Sequence, residues 1–192
     1  TGPTSFPSSS TTIDATWHSS THPCVGNRTD AMWWDGDTDV WVGCGSTVIG
    51  TGLYVSTDQG ESWFAPATTD DTMVESFRVS SIQRADDGLL YIGGIHVNGT
   101  ERVLSLDTSV DPMTVAVEFT SGGQTWNTFH VGSFRRNSEG VAVAESLTGT
   151  GLVYRVADDQ PWQDGYGWWG GGGGYQILDM VLHDDAFYGC GS

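Results

Sequence analysis

The chain has 192 residues and a formal net charge of −17, from 24 acidic and 7 basic side chains. Every basic residue is an arginine. A field this negative repels phosphate backbones and anionic lipid headgroups, which excludes nucleic acid as an expected partner, and no run of about 18 apolar residues offers a helix for membrane insertion.

Residues 1–20 open with "TGPTSFPSSSTT", a Ser/Thr/Pro-rich stretch expected to act as a tether. Its end, "TIDATWHSS" at 12–20, is the candidate for a strand that closes a ring. A tethered, aromatic-rich chain without lysine points to an extracellular, periplasmic or cell-surface protein, where disulfides persist. The cysteines are Cys24, Cys44 and Cys190, and none stands in a close metal-binding pair. Asn27-Arg28-Thr29 and Asn98-Gly99-Thr100 fit the acceptor pattern for N-glycosylation, which matters only in a glycosylating host.

From residue 21 onward, short runs of Val, Tyr, Trp and Ile alternate with Gly, Asp, Asn and Ser clusters. That is an all-β pattern. Two repeats organise it. "GTGLYVS" from Gly50, "GTERVLS" from Gly99 and "GTGLVYR" from Gly149 recur at offsets of 49 and 50 residues. Upstream of them, "MWWDGDTDVWVGCGS" from Met32, "IQRADDGLLYIGG" from Ile82, "FRRNSEGVAVAES" from Phe134 and "MVLHDDAFYGCGS" from Met180 recur at 50, 52 and 46 residues. Each is an apolar strand, a polar turn and a second apolar strand, hence a hairpin. Four strands in about 50 residues is the period of a propeller blade. The expected units are about 28–76, 77–128, 129–174 and a partial 175–192, forming one β-propeller over 21–192. A β-sandwich accounts for the strands but not for the repeat.

"STDQGESW" fits Ser-x-Asp-x-Gly-x-x-Trp through Ser56, Asp58, Gly60 and Trp63. It resembles the Asp-box, the bacterial neuraminidase repeat, found in sialidases, in other glycoside hydrolases and in non-catalytic propellers such as sortilin-type receptors and photosystem assembly factors. The resemblance implies a peripheral turn between the third and fourth strands of a blade. The chemistry agrees with that place: Asp accepts backbone N–H groups, Gly takes a positive φ, and Trp packs under the hairpin. Ser105 and Asp107 stand at the corresponding place in the second unit, and Trp162 in the third.

Four inner hairpins face only three outer ones, so the last blade is expected to be incomplete. A fragment of a larger propeller fits, with missing blades or a partner chain over the open edge; a closed four-bladed ring is the alternative.

Four residues before each hairpin start stand Arg28, Arg78, His130 and Gln176, with Asp30 two residues past Arg28. First strands line a propeller's channel, so these groups are expected to converge at its mouth, where two guanidinium groups could take an anion. The plainer reading is solvated channel polarity. "FRVS" at 77–80 is similar to the Phe/Tyr-Arg-Ile-Pro motif of sialidases but lacks its Pro, and Phe129 and Tyr175 are repeat counterparts of Phe77. Asp35, Asp37 and Asp39 have a spacing that suits Ca²⁺, the one cofactor suggested, although every inner turn carries acidic or polar residues. Cys44 should lie across from residues around Thr29, and Cys24 stands a few residues before that strand, which makes Cys24–Cys44 a feasible disulfide and the candidate pair; Cys190 occupies the position equivalent to Cys44 and could pair with Cys24 if a ring closes there, or with something outside the chain. The functional expectation is a secreted or cell-surface, non-catalytic propeller that binds a protein or carbohydrate as a scaffold, with an extracellular sialidase-like glycosidase as the alternative.

Overall fold

The computed structural model describes residues 22–45, 50–98, 101–120, 131–146, 152–157, 159–164 and 177–191. They are all-β apart from one five-residue helix. The first sheet is β1 (Arg28–Trp34), β2 (Val40–Gly45) and β3 (Gly50–Ser56). After α1 (Asp71–Glu75) comes the second, β4 (Phe77–Arg84), β5 (Leu90–His96), β6 (Glu101–Asp107) and β7 (Thr114–Thr120). The third is β8 (Val131–Arg136), β9 (Ala142–Ser146), β10 (Leu152–Arg155) and β11 (Gln163–Asp164). The fourth is β12 (Ile177–His183) with β13 (Ala186–Gly191). All four are antiparallel meanders, with strands adjacent in sequence paired in space.

The inner hairpins turn where the polar clusters stand, and by one chemistry. Asp35 Oδ1 accepts the N–H groups of Asp37 (2.8 Å) and Asp39 (3.2 Å). Asp87 Oδ1 accepts that of Leu89 (3.0 Å), and Asn137 Oδ1 those of Glu139 (3.1 Å) and Val141 (2.9 Å). These short side chains replace ladder bonds that the backbone loses in turning. The fourth turn runs through Asp184 and Asp185, both at positive φ, a region that Asp tolerates better than most residues.

The outer hairpins are less regular. In the first sheet Val55 and Phe64 exchange both backbone hydrogen bonds (2.9 and 3.0 Å) after the turn, a bridge in place of a full fourth strand. The chain then leads into α1, whose Val74 is buried in the core. Asp71 Oδ1 ties the helix start to the N–H (2.8 Å) and hydroxyl (2.9 Å) of Thr68.

The second sheet is apolar on both faces, and the first and third sheets stack on it to cover them. The first sheet turns Trp33, Trp41, Leu53 and Val55 toward Ile82, Ile92, Leu104 and Leu106 of the second. The opposite face of the second sheet sets Tyr91 and Val103 against Phe134 and Ala142 of the third. The Tyr91 and Phe134 rings stack at 4.9 Å. First strands meet in series, β1 with β4, β4 with β8 and β8 with β12; among the described residues β12 and β1 have no comparable packing.

Two features let the sheets approach. A Cβ on Gly43 would lie 2.6 Å from Val79 Cβ, so the second strand of the first sheet can meet β4 only where it has no side chain. Each first strand also breaks register at the same repeat position, between Thr29 and Ala31, Val79 and Ser81, Val131 and Phe134, and Ile177 and Asp179. Such bulges twist a strand and re-aim its side chains. Gly43→Ala should lower stability by about 1–3 kcal/mol, the penalty for overpacking a close contact; a urea midpoint as high as that of the parent would show that the sheets do not meet at Gly43.

Candidate functional site

The bulge in β1 presents Asp30 between two guanidinium groups. Arg28 Nε and Arg78 Nε donate to its two carboxylate oxygens, the second at 2.6 Å. Arg78 comes from β4, so the pair joins the first two sheets. The Asp30 and Arg78 side chains are 9% and 7% exposed, whereas Arg28 is 57% exposed. Gly94 lies against the Arg78 carbonyl, where a Cβ would come within 2.0 Å.

Arg28, Asp30 and Arg78 thus converge, and the carboxylate already occupies the position that an incoming anion would need. Arg78 in this state is a buried, paired cation, while Arg28 keeps most of its surface in solvent. His130 and Gln176, the other expected members, lie outside the described residues. So does the candidate closing strand at 12–20.

The "STDQGESW" stretch forms a closed hydrogen-bonded turn after β3. Ser56 is fully buried, donates from its Oγ to Asp58 Oδ1 (2.7 Å) and accepts the Gly60 N–H (2.7 Å). The Asp58 carboxylate accepts the backbone N–H (2.8 Å) and hydroxyl of Ser62. Gln59 and Gly60 carry the positive φ values, 60° and 92°. The hydroxyl and backbone hydrogen bonds from Ser62, then that from Ser56, hold the Asp58 carboxyl down at about 2.

Trp63 packs over Val42, Cys24 and Cys44. Cys24 and Cys44 form a disulfide, with Thr29 paired opposite Cys44 as expected. His22 joins the same corner: its ring accepts the Cys24 N–H at 3.1 Å and shares a 2.8 Å hydrogen bond with the Thr29 hydroxyl. The side chain of Cys190 lies outside the described residues.

Of the three acidic residues in the first turn, Asp35 is committed to the backbone and Asp39 accepts the Thr38 hydroxyl at 3.2 Å. No group of three His, Cys, Asp or Glu side chains stands in metal-holding geometry among the described residues.

One cluster escaped the sequence reading. Glu118, on β7, accepts the Ser105 hydroxyl (2.6 Å) and the Arg155 guanidinium (3.0 Å), and its carbonyl accepts the Trp162 indole N–H (2.8 Å). Arg155 also lies over the Trp162 ring, 5.3 Å from its centroid. Of the two residues at the place of the turn motif in later units, Trp162 therefore helps tie the third sheet to the second, and Ser105 braces Glu118 from within the second sheet. The available signal was the lone acid inside the apolar run "TVAVEFT". Asp87 plays a related part, accepting the Tyr91 hydroxyl (2.8 Å) and pairing with Arg136 of the third sheet (3.3 Å). Burial, then the bond to Asp87, pushes the Tyr91 hydroxyl well above its ordinary range, so it stays a donor.

A scan against models of known protein families gives no match, and a search of curated proteins gives none either.

Two predictions follow from burial and protonation. Asp30→Ala should destabilise the fold by about 3 kcal/mol, because it removes the carboxylate from a buried cation, whereas Arg28→Ala should change stability by less than about 1 kcal/mol; equal losses in chemical denaturation would refute this division of roles. Asp58 titrates lower when folded (about 2) than when unfolded (3.8), so its contribution is complete above the unfolded value and fades as pH falls toward the folded one. Asp58→Asn should then flatten the acid limb of the melting temperature between about pH 4 and pH 2; an unchanged limb would mean that the hydrogen-bonded carboxylate does not stabilise the turn.

Proposed function

We propose that the chain is a secreted or cell-surface, non-catalytic β-propeller module of the Asp-box type, acting as a scaffold or binding subunit of a larger assembly. Successive meander sheets stacked first strand on first strand, with a bulge recurring in each first strand, support the propeller reading. The hydrogen-bonded turn of Ser56, Asp58 and Gly60, with Trp63 packed beside it, supports the Asp-box reading. The Cys24–Cys44 disulfide supports an oxidising location. Among the described residues no helix is long and apolar enough to cross a membrane.

The observation that carries the scaffold reading is the state of the two ends of the sheet stack. Met32 and Trp34 on the first sheet are 69% and 58% exposed, and Val181 and Tyr188 on the fourth are each 55% exposed. The repeat counterparts of Met32 and Tyr188 inside the stack are core residues: Ile82 is 7% exposed and Phe134 0%, and Tyr91 is 2% exposed. Surfaces of this composition on both ends belong to a module that is built upon.

One observation favours the second reading, an extracellular sialidase-like glycosidase: Arg28 and Arg78 do come together, as a carboxylate-binding site requires. Asp30 distinguishes the readings, since its carboxylate already engages both guanidinium groups. Incubation with a fluorogenic sialoside and a panel of aryl glycosides should give no turnover above blank. Turnover that disappears in Arg78→Ala, with the fold retained by circular dichroism, would replace the scaffold reading with the enzymatic one.

A further inference from the structure

The first and fourth sheets each leave an apolar face open. By register, Trp33 pairs with Trp41 in the first sheet, Gln83 with Tyr91 in the second and Val181 with Tyr188 in the fourth. In the first two sheets these residues face the sheet that follows, and the second-strand aromatic is buried there: Trp41 packs in the core with Ile82, and Tyr91 stacks on Phe134. Tyr188 is the corresponding aromatic of the fourth sheet and stands open.

The other open face is on the first sheet. Met32 pairs with Val42 as Ile82 pairs with Ile92, and Ile82 faces the preceding sheet. The last residues of β4 and β8 reach back in the same direction. Arg84 lies over the Trp33 ring at 5.5 Å, and Arg136 pairs with Asp87 at 3.3 Å. Trp34 holds that position in the first sheet, and among the described residues no preceding sheet packs on it. Beside it opens a concavity of about 560 Å³ lined by Met32, Trp34, Val40, Val42 and Trp63 among others.

We propose that this face docks the fourth sheet of a second copy of the chain, head to tail, with Tyr188 of one copy on Met32 of the other. The inference rests on the stacked-sheet reading of the fold. The occupant follows from the repeat: the surface that packs on residues at the Met32 register inside the chain is the one that Tyr188 and Val181 present at its far end. A thioether against an aromatic ring is a favourable contact. A head-to-tail contact closes into a ring when the rotation permits. Two copies with four sheets each give eight, within the range that propellers close. Each copy carries −17, so the apolar contact forms against like-charge repulsion and should tighten as salt screens it.

Sedimentation equilibrium of the full chain tests this. The expected result is a reversible dimer that strengthens from low to moderate salt. Met32→Glu and Tyr188→Glu should each weaken association about thirtyfold or more, with Trp34→Ser as a second variant should Met32→Glu not fold. Val117→Glu, on an exposed position of β7 away from both ends, should leave association unchanged. An equimolar mixture of Met32→Glu and Tyr188→Glu chains should regain association, because one of its two contacts joins intact faces. A wild-type monomer throughout the range, or a mixture no better than its components, overturns the proposal. Either outcome leaves the non-catalytic reading in place, since that is decided by glycoside turnover; turnover in an intact dimer would refute that reading and keep the interface.

Discussion

A small antiparallel sheet whose two faces are both apolar cannot stand alone in water, and the described structure depends on that constraint. The second sheet shows it satisfied. β4 is buried along most of its length, with the first sheet on one face and the third on the other. Covering both faces requires close approach, and close approach accounts for residues that have no evident role one strand at a time. Gly43 makes room for Val79, and the bulges tilt the first strands so that Asp30 and Ser81 reach across. The Ser81 hydroxyl accepts the Phe134 N–H of the third sheet at 3.0 Å.

The scarce cations are placed by the same constraint. Arg78 and Arg84 bind the first sheet to the second, and Arg136 and Arg155 bind the second to the third. Arginine suits these places because its planar group can satisfy a carboxylate and lie on an indole. Arg155 does both, with Glu118 and Trp162. Many of the carboxylates do local work in turns, where Asp35, Asp58 and Asp107 each accept nearby backbone N–H groups. The strong negative charge is thus in part a by-product of turn chemistry, with solubility as a consequence.

Much of the fold was legible from short-range pattern. The inner hairpins fell where apolar runs flank Asp/Gly turns, because a turn is decided by a few adjacent residues. Cys24 and Cys44 were legible together because placing Cys44 opposite Thr29 needs only one hairpin register. The convergence of Arg28 with Arg78 was legible from the repeat, which maps one first strand onto the next. The role of Asp30 was not, since it depends on a bulge that no local propensity announces. Glu118 was missed for a similar reason: its partners Ser105, Arg155 and Trp162 come from three different strands or turns.

The sequence by itself determined the hairpins, their period and the turn built on Ser56, Asp58 and Gly60, because each is an interaction between residues close along the chain. Only the tertiary structure decided which polar groups became sheet-to-sheet clamps and which apolar residues were left open. Met32 and Ile82 occupy the same place in the repeat, and nothing in their own hairpins separates them. One is exposed and the other buried because a preceding sheet packs on Ile82 and none among the described residues packs on Met32. Burial is a property of the neighbour as much as of the residue.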